Sequence, residues 1–312
     1  MKGTVAIIGS DGQLGQSIKY ILGLREMDFL FEYNYIFLSH NDIDITKEGS
    51  IKDTLSKIED LKFVVNCAAY TNVEKAEEEE TKCYNVNANG VFFLGKYCKE
   101  HNVYLITIGT DYMYNPLFAI PVGETTVPSP LNRYGNSKHE GITLLNEMWR
   151  NNQNPQYLVI NTSWLYSEFG NNFVKKIVEK LSNKEECKVV IDQVGSPTYA
   201  PNLAHFIIDL VEGGVEKFNN ENCRIINCCG DGIASWYDIA KFIEYTMYDG
   251  LFNELVTPIF TGLHIYQKAR RPNYSALSTI EINKKFGNAY TPYWMEDVRK
   301  CVKNLTKEKE AK

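Results

Sequence analysis

Tyr134 and Lys138, in the run Tyr134-Gly135-Asn136-Ser137-Lys138, set a phenol and an ammonium four residues apart, so a helix would carry both on one face. A phenol can pass a proton to a carbonyl oxygen if its surroundings tune a pKa that is about 10 in isolation. The spacing alone carries little. A chain with 20 tyrosines repeats it by chance, and Tyr237 with Lys241 does so in a segment that reads as a surface or packing pair. Thr110 separates the first pair from the second. It closes the apolar run Ile106-Thr107-Ile108, where its hydroxyl can enter a strand-end crevice and hydrogen-bond a carbonyl. Phenol, ammonium and hydroxyl together suit reduction of a ketone, in which a developing alkoxide needs hydrogen bonds and then a proton.

A second group of residues could hold the hydride donor. Gly9-Ser10-Asp11-Gly12-Gln13-Leu14-Gly15 lies between an apolar run at 5–8 and a stretch with helical apolar spacing at 16–24. Gly9, Gly12 and Gly15 permit a tight turn and close backbone approach to a pyrophosphate at the helix amino end, with Gln13 and Leu14 in the same wall. After the next apolar run come Ser39 and His40, where a carboxylate would grip the ribose of NAD. Nothing there repels a 2′-phosphate, so NADPH is the favoured cofactor and NADH an accepted alternative. Asp44 and Ile45 are candidates to meet the adenine, and Cys67-Ala68-Ala69-Tyr70 offers small residues for the cofactor to lie against.

These groups need a scaffold, and the periodicity supplies one. Strand-like runs at 5–8, 35–38, 63–66, 104–108 and 157–161 alternate with helical stretches at 48–61, 82–101 and 137–151. That order predicts an α/β fold, a doubly wound parallel sheet of Rossmann type, over residues 1–165. Residues 166–312 read as a smaller substrate domain, with a helix at 173–181, an extended run at 188–192, a helix at 202–211 and a loop at 213–222. A strand at 224–228 returns to the main sheet. The 312 residues are 44% hydrophobic and 23% charged with a net charge of −6, which excludes a disordered chain and argues against a nucleic-acid partner. No apolar run approaches the ~18 residues of a membrane span, and the amino terminus lacks a signal-peptide pattern, so the expected location is the cytoplasm. The eight cysteines lack metal-ligand spacing and read as buried thiols, and no metal site is expected.

The motifs resemble the extended short-chain dehydrogenase/reductase superfamily and, within it, the dTDP-4-dehydrorhamnose reductase family. Gly12-Gln13-Leu14-Gly15, Asp44-Ile45-Thr46, the run 65–77 with Cys67-Ala68-Ala69-Tyr70-Thr71, Thr110-Asp111-Tyr112 and Tyr134 to Lys138 carry the likeness. It continues in family order through Thr162-Ser163-Trp164-Leu165-Tyr166, Asp192-Gln193-Val194-Gly195-Ser196-Pro197-Thr198 and Arg271-Pro272, nearly the whole chain. The resemblance implies reduction of a dTDP-linked 4-keto-6-deoxy sugar to dTDP-L-rhamnose for surface polysaccharide. Tyr134 would protonate the C4 oxygen, Lys138 would lower its pKa and hold the nicotinamide ribose, and Thr110 would bind the carbonyl. Gly12, Gln13, Leu14, Asp44, Ile45, Ala68, Ala69 and Tyr70 would line the cofactor. Asp111, Tyr112 and Trp164 would touch the sugar nucleotide, Arg271 in the cluster Lys268, Arg270, Arg271 would meet its phosphates, and Asn87 would join a proton relay. The partner so implied is a small nucleotide sugar; oligomeric state stays open, a homodimer being one option.

The chain also departs from the family pattern. Gly109 stands where Ser usually precedes the Thr, Met113-Tyr114-Asn115-Pro116 replaces a Val-Phe followed by Asp-Gly, and Asn161-Thr162 replaces an Arg-Thr pair. The Arg-Pro motif continues as Asn273-Tyr274-Ser275. Two rival functions share this fold. A dehydratase or epimerase would want a second carboxylate beside Asp111, where Tyr112 stands. A non-catalytic regulatory subunit would not need Thr110, Tyr134 and Lys138 intact.

Overall fold

The structure is a computed structural model that describes residues 2–25, 31–218, 224–263 and 267–310. Strand β1 (Gly3–Ile8) is buried along its whole length. Val5 and Ile7 pack into one apolar cluster and Ala6 and Ile8 into another, as the alternating side chains of a central strand must. It pairs in parallel with β2 (Tyr33–Leu38) on one side and β3 (Leu61–Asn66) on the other. Beyond β3 lie β4 (Tyr104–Ile108), β5 (Tyr157–Asn161) and β6 (Ile225–Asn227), all parallel, so the order across the sheet is β2-β1-β3-β4-β5-β6. The order reverses between β1 and β3, and the crevice above their carboxyl ends is where such sheets take ligands.

Helices cover both faces. α1 (Gln13–Arg25) contributes Leu14, Ile18, Ile21 and Leu22 to one face, together with a later helix described below. α2 (Glu48–Leu55), α3 (Gly90–His101) and α4 (Arg133–Trp149) cover the other through Ile51, Leu94, Leu145 and their neighbours. Each such side chain removed from water contributes roughly 1.5–3 kcal/mol. The later segments supply α5 (Phe173–Ser182), α6 (Ala200–Val211), α7 (Trp236–Met247) and α8 (Trp294–Glu310). α6 belongs to the α1 face of the sheet, whereas α5, α7 and α8 close a third apolar cluster around Val178, Ile243 and Val298. Among the described residues no helix is long and apolar enough to cross a membrane.

Several boundaries differ from the sequence expectation. α2 stops at Leu55, because residues 56–60 turn to feed β3, which starts at Leu61. The stretch 82–101 is not one α-helix: a π-type turn, Asn85–Asn89, separates a short helix, Glu80–Tyr84, from α3. α4 begins at Arg133, where the Asn132 side chain accepts from the Gly135 N–H at 2.8 Å, so Tyr134 lies in its first turn. The expected loop at 213–222 contains a 3-10 helix at Gly214–Phe218, and its remainder, with Cys223, lies outside the described residues. None of the seven described cysteines is in a disulfide. Six are buried, and Cys67 instead borders the cavity described next.

Candidate active site

The carboxyl ends of β1, β3 and β4 open onto one cavity of about 930 Å³, within the range of cofactor and substrate pockets. Its wall brings together residues far apart in the sequence: Gly9, Gly12, Gln13 and Leu14 after β1, Asp44 and Ile45 after β2, Ala68, Ala69 and Tyr70 after β3, and Thr110, Asp111 and Tyr112 after β4. Tyr134, Lys138 and Trp164 complete it. Of the expected site residues Gly15, Asn87 and Arg271 are absent from this wall.

The turn after β1 is shaped by contact. Gly9 has φ +81°, and a Cβ there would stand 2.7 Å from the Ala68 backbone nitrogen. A side chain at Gly15 would meet the Gly9 carbonyl at 2.6 Å, so Gly15 lets the helix start close against the turn. Gln13 bridges: its Nε2 donates to the Leu165 carbonyl at 3.1 Å, and its Oε1 accepts from Asn172, the cap of α5, at 2.7 Å. Thr46 and Lys47 beside Asp44 hold its carboxyl down at about 2.

The reacting groups converge at the start of α4. Gly135 lets that turn press on the Tyr112 carbonyl, which a Cβ would approach to 2.2 Å. Thr110 accepts from the Tyr112 N–H at 3.2 Å and donates to Asp111 Oδ1 at 3.2 Å. Asp111 Oδ2 accepts from Ser275 at 2.6 Å, and burial pushes this carboxyl up to about 7. Lys138 Nζ donates to the Ile108 carbonyl at 2.9 Å, and burial lowers its ammonium to about 8. Burial pushes the Tyr134 phenol up, with the Thr110 hydroxyl opposing. Lys138 is directed at the end of β4, and the phenolate would be poorly solvated.

Asn87, buried in the π-type turn, accepts from Tyr70 N–H at 2.9 Å and donates to Tyr70 O and to Ser137 Oγ, both at 3.0 Å. Ser137 in turn donates to the Tyr134 carbonyl at 2.8 Å. The side chain is therefore a clamp between the Ala69-Tyr70 segment and the Tyr134 turn. Arg271 pairs with Glu74 at 2.8 Å and borders a second cavity of about 440 Å³ with Arg270, Asn273 and Tyr274. Its guanidinium also sits beside the Tyr112 phenol, which borders the first cavity. Lys268 pairs with Glu78 at 2.8 Å, and Arg133 with Glu80 at 2.9 Å, so the acidic run 77–80 ties distant segments together. Among the described residues no group of three His, Cys, Asp or Glu could hold a metal ion. Sequence reasoning did not assign Trp236 and Phe173 to the site, yet both share the cavity wall with Trp164; their part in it depends on packing between distant segments.

The family model described as the RmlD substrate binding domain matches residues 2–307. The dTDP-4-dehydrorhamnose reductase of Aggregatibacter actinomycetemcomitans is 32% identical over 287 residues, covering 90% of this chain and 92% of that protein. The chain belongs to the dTDP-4-dehydrorhamnose reductase family. Solved structures agree. The Clostridium acetobutylicum dTDP-4-dehydrorhamnose reductase superposes with a TM-score of 0.82 at 30% identity, over 97% of this chain and 99% of that one. The Bacillus anthracis dTDP-4-dehydrorhamnose reductase, solved in complex with NADP, gives 0.83 at 29% identity over 97% and 100%.

Proposed function

We propose that the protein reduces the C4 keto group of dTDP-4-dehydro-L-rhamnose with NADPH, giving dTDP-L-rhamnose. The observation that carries this is the single cavity in which the glycine turn after β1 and the Thr110, Tyr134 and Lys138 groups face one another. The residues fit a dinucleotide: the glycines keep Cβ atoms out of the turn, Ala68 and Ala69 keep the floor low, and buried Lys138 makes one bond to protein with an ammonium that has three donors. Gly9, Gly12, Gln13 and Leu14 would hold the pyrophosphate, Asp44 and Ile45 the adenosine end, Tyr70 and Lys138 the nicotinamide end. Bound there, the cofactor supplies the hydride to C4.

Tyr134 supplies the proton: its O–H bond breaks as the C4 oxygen gains a proton, and the phenol recovers one from water. Burial keeps the phenol protonated at neutral pH, the state the reduction consumes. Thr110 donates to the same oxygen by turning its one O–H from Asp111 Oδ1, its acceptor in this structure, while Ser275 keeps hold of Asp111 Oδ2. Trp164 and Tyr112 border the sugar, and Arg271 with the second cavity takes the diphosphate and nucleotide. Residues 1–165 with the strand near 224–228 form the dinucleotide-binding domain, and 166–312 supply most of the sugar-nucleotide domain. This reading places the protein in the cytoplasm, and gel filtration would tell a monomer from a homodimer.

The deciding experiment follows NADPH oxidation with enzymatically generated dTDP-4-dehydro-L-rhamnose and identifies the product. Formation of dTDP-L-rhamnose supports the reading. Intact NADPH binding with no turnover overturns it.

A further inference from the structure

Trp164 is held in an arrangement that a free indole would not adopt. Its backbone has φ +47°, the left-handed region that bulky residues rarely enter. One face of the ring lies flat on Trp236, with centroids 3.7 Å apart and planes within 5°. That overlap leaves only the opposite face for Gly195, where an added Cβ would stand 2.6 Å from the indole. Phe173 closes on Trp236 from a third side, at 4.6 Å and 56°. The two jaws are fixed relative to each other, because Val194–Gly195 pairs antiparallel with Ala234–Ser235 and a capping box between Ser235 and Asp238 sets Trp236 as the first residue of α7.

An aromatic ring that binds a sugar by stacking must offer a face. Trp236 covers one face of Trp164 and Gly195 presses on the other beside Nε1, which is buried without a partner, so the ring offers a ligand in the cavity its edge and no whole face. A fixed edge works by excluding poses, and its value depends on how rigidly it is held. We infer that Trp236 is a positioning residue for sugar recognition, acting through Trp164 by fixing one indole edge where the keto sugar must lie to reach Tyr134. This rests on the reading that the sugar nucleotide occupies this cavity.

The test uses the full chain with Trp236→Ala, Trp236→Phe and Gly195→Ala, the last pushing the indole from the opposite face. KM for dTDP-4-dehydro-L-rhamnose, kcat and Kd for NADPH are measured, and near-ultraviolet circular dichroism follows the indole stack. Trp236→Ala and Gly195→Ala should each raise KM about tenfold, with kcat and the NADPH Kd within about threefold of wild type. Trp236→Phe should recover most of the KM. An unchanged KM in Trp236→Ala alongside a lost stacking signal overturns the inference. So does an equal loss of NADPH affinity, which would mark general loosening of the cavity. A wild-type enzyme that turns over no keto sugar sinks the underlying reading and this inference with it, an outcome separate from any result among the variants.

Discussion

Tyr134 is held by its neighbours as a protonated phenol, and the consequence can be measured. Tyr134→Phe should lower kcat by roughly 10²–10⁴-fold while the Kd for NADPH stays close to wild type, because the ring still fills the wall and only the proton donor is gone. Near-normal turnover would remove Tyr134 from the acid role. Three departures from the family pattern also resolve at this scale into one arrangement. A Cβ at Gly109 would stand 2.0 Å from Asn161 Oδ1, so Gly109 makes the space that Asn161 fills. Asn161 Nδ2 then donates to the Tyr114 hydroxyl at 3.1 Å and to Asn227 Oδ1 at 3.2 Å. Gly109→Ser should therefore cost about 1–3 kcal/mol by overpacking, and adding Asn161→Ala should restore part of it. Urea denaturation of the two single variants and the double variant gives the coupling. Strictly additive losses would show that the positions are independent.

Among the elements, the π-type turn Asn85–Asn89 matters most to the site, because it turns Asn87 inward to both Tyr70 and Ser137. Asn87→Ala should destabilise the fold by about 1–3 kcal/mol and weaken NADPH binding, since the Tyr70 segment loses its anchor. A proton relay through this side chain would instead lower kcat and change its solvent isotope effect while leaving the NADPH Kd alone. The turn was not legible in the sequence, because residues 82–101 keep a helical apolar pattern on both sides of it and one extra residue per turn leaves the composition unchanged. The main sheet was legible because β1, β3, β4 and β5 are buried on both faces and so read as unbroken apolar runs. The pairs Val194–Gly195 with Ala234–Ser235 and Leu165–Tyr166 with Thr198–Tyr199 were not, because two-residue strands carry no period and exist only through distant partners. The same reason hid Trp236, whose role begins only once those pairs form.

Across the whole molecule, a few buried ionisable groups set how stability depends on pH, and their signs differ. Burial raises Asp111 to about 7 and Asp297, on α8 beside Asn202, to about 6. Between about pH 4 and those values the folded chain keeps protons that the unfolded chain has released, so stability falls as pH rises and the cost is complete above about pH 7. His205 on α6 has the opposite sign. Burial and then the adjacent Arg25 of α1 lower its pKa, against the opposing pull of Asp209 and with Lys300 adding to the lowering, so its contribution is full above about pH 6.5 and is lost as pH falls through the folded value. Above about pH 6.5 His205 changes nothing further, and the decline between about pH 6.5 and 7.5 belongs mainly to Asp111; towards pH 8 Lys138, lowered by burial to about 8, opposes it. Asp111→Asn keeps a group that can accept from Thr110 and bond Ser275 but carries no charge, so it should raise stability at about pH 8 by on the order of a few kcal/mol, with much less gain near pH 5. His205→Asn should leave the alkaline limb alone and flatten the acid one. Thermal unfolding followed across pH for the three proteins decides the matter, at about 2–4 °C per kcal/mol for chains of roughly this size. A wild-type melting temperature that keeps rising from pH 6.5 to 7.5, unaltered by Asp111→Asn, would mean that the Asp111 carboxyl is ionised at no cost and that the site around Thr110 is more open to water than the packing of Ser275 against it implies.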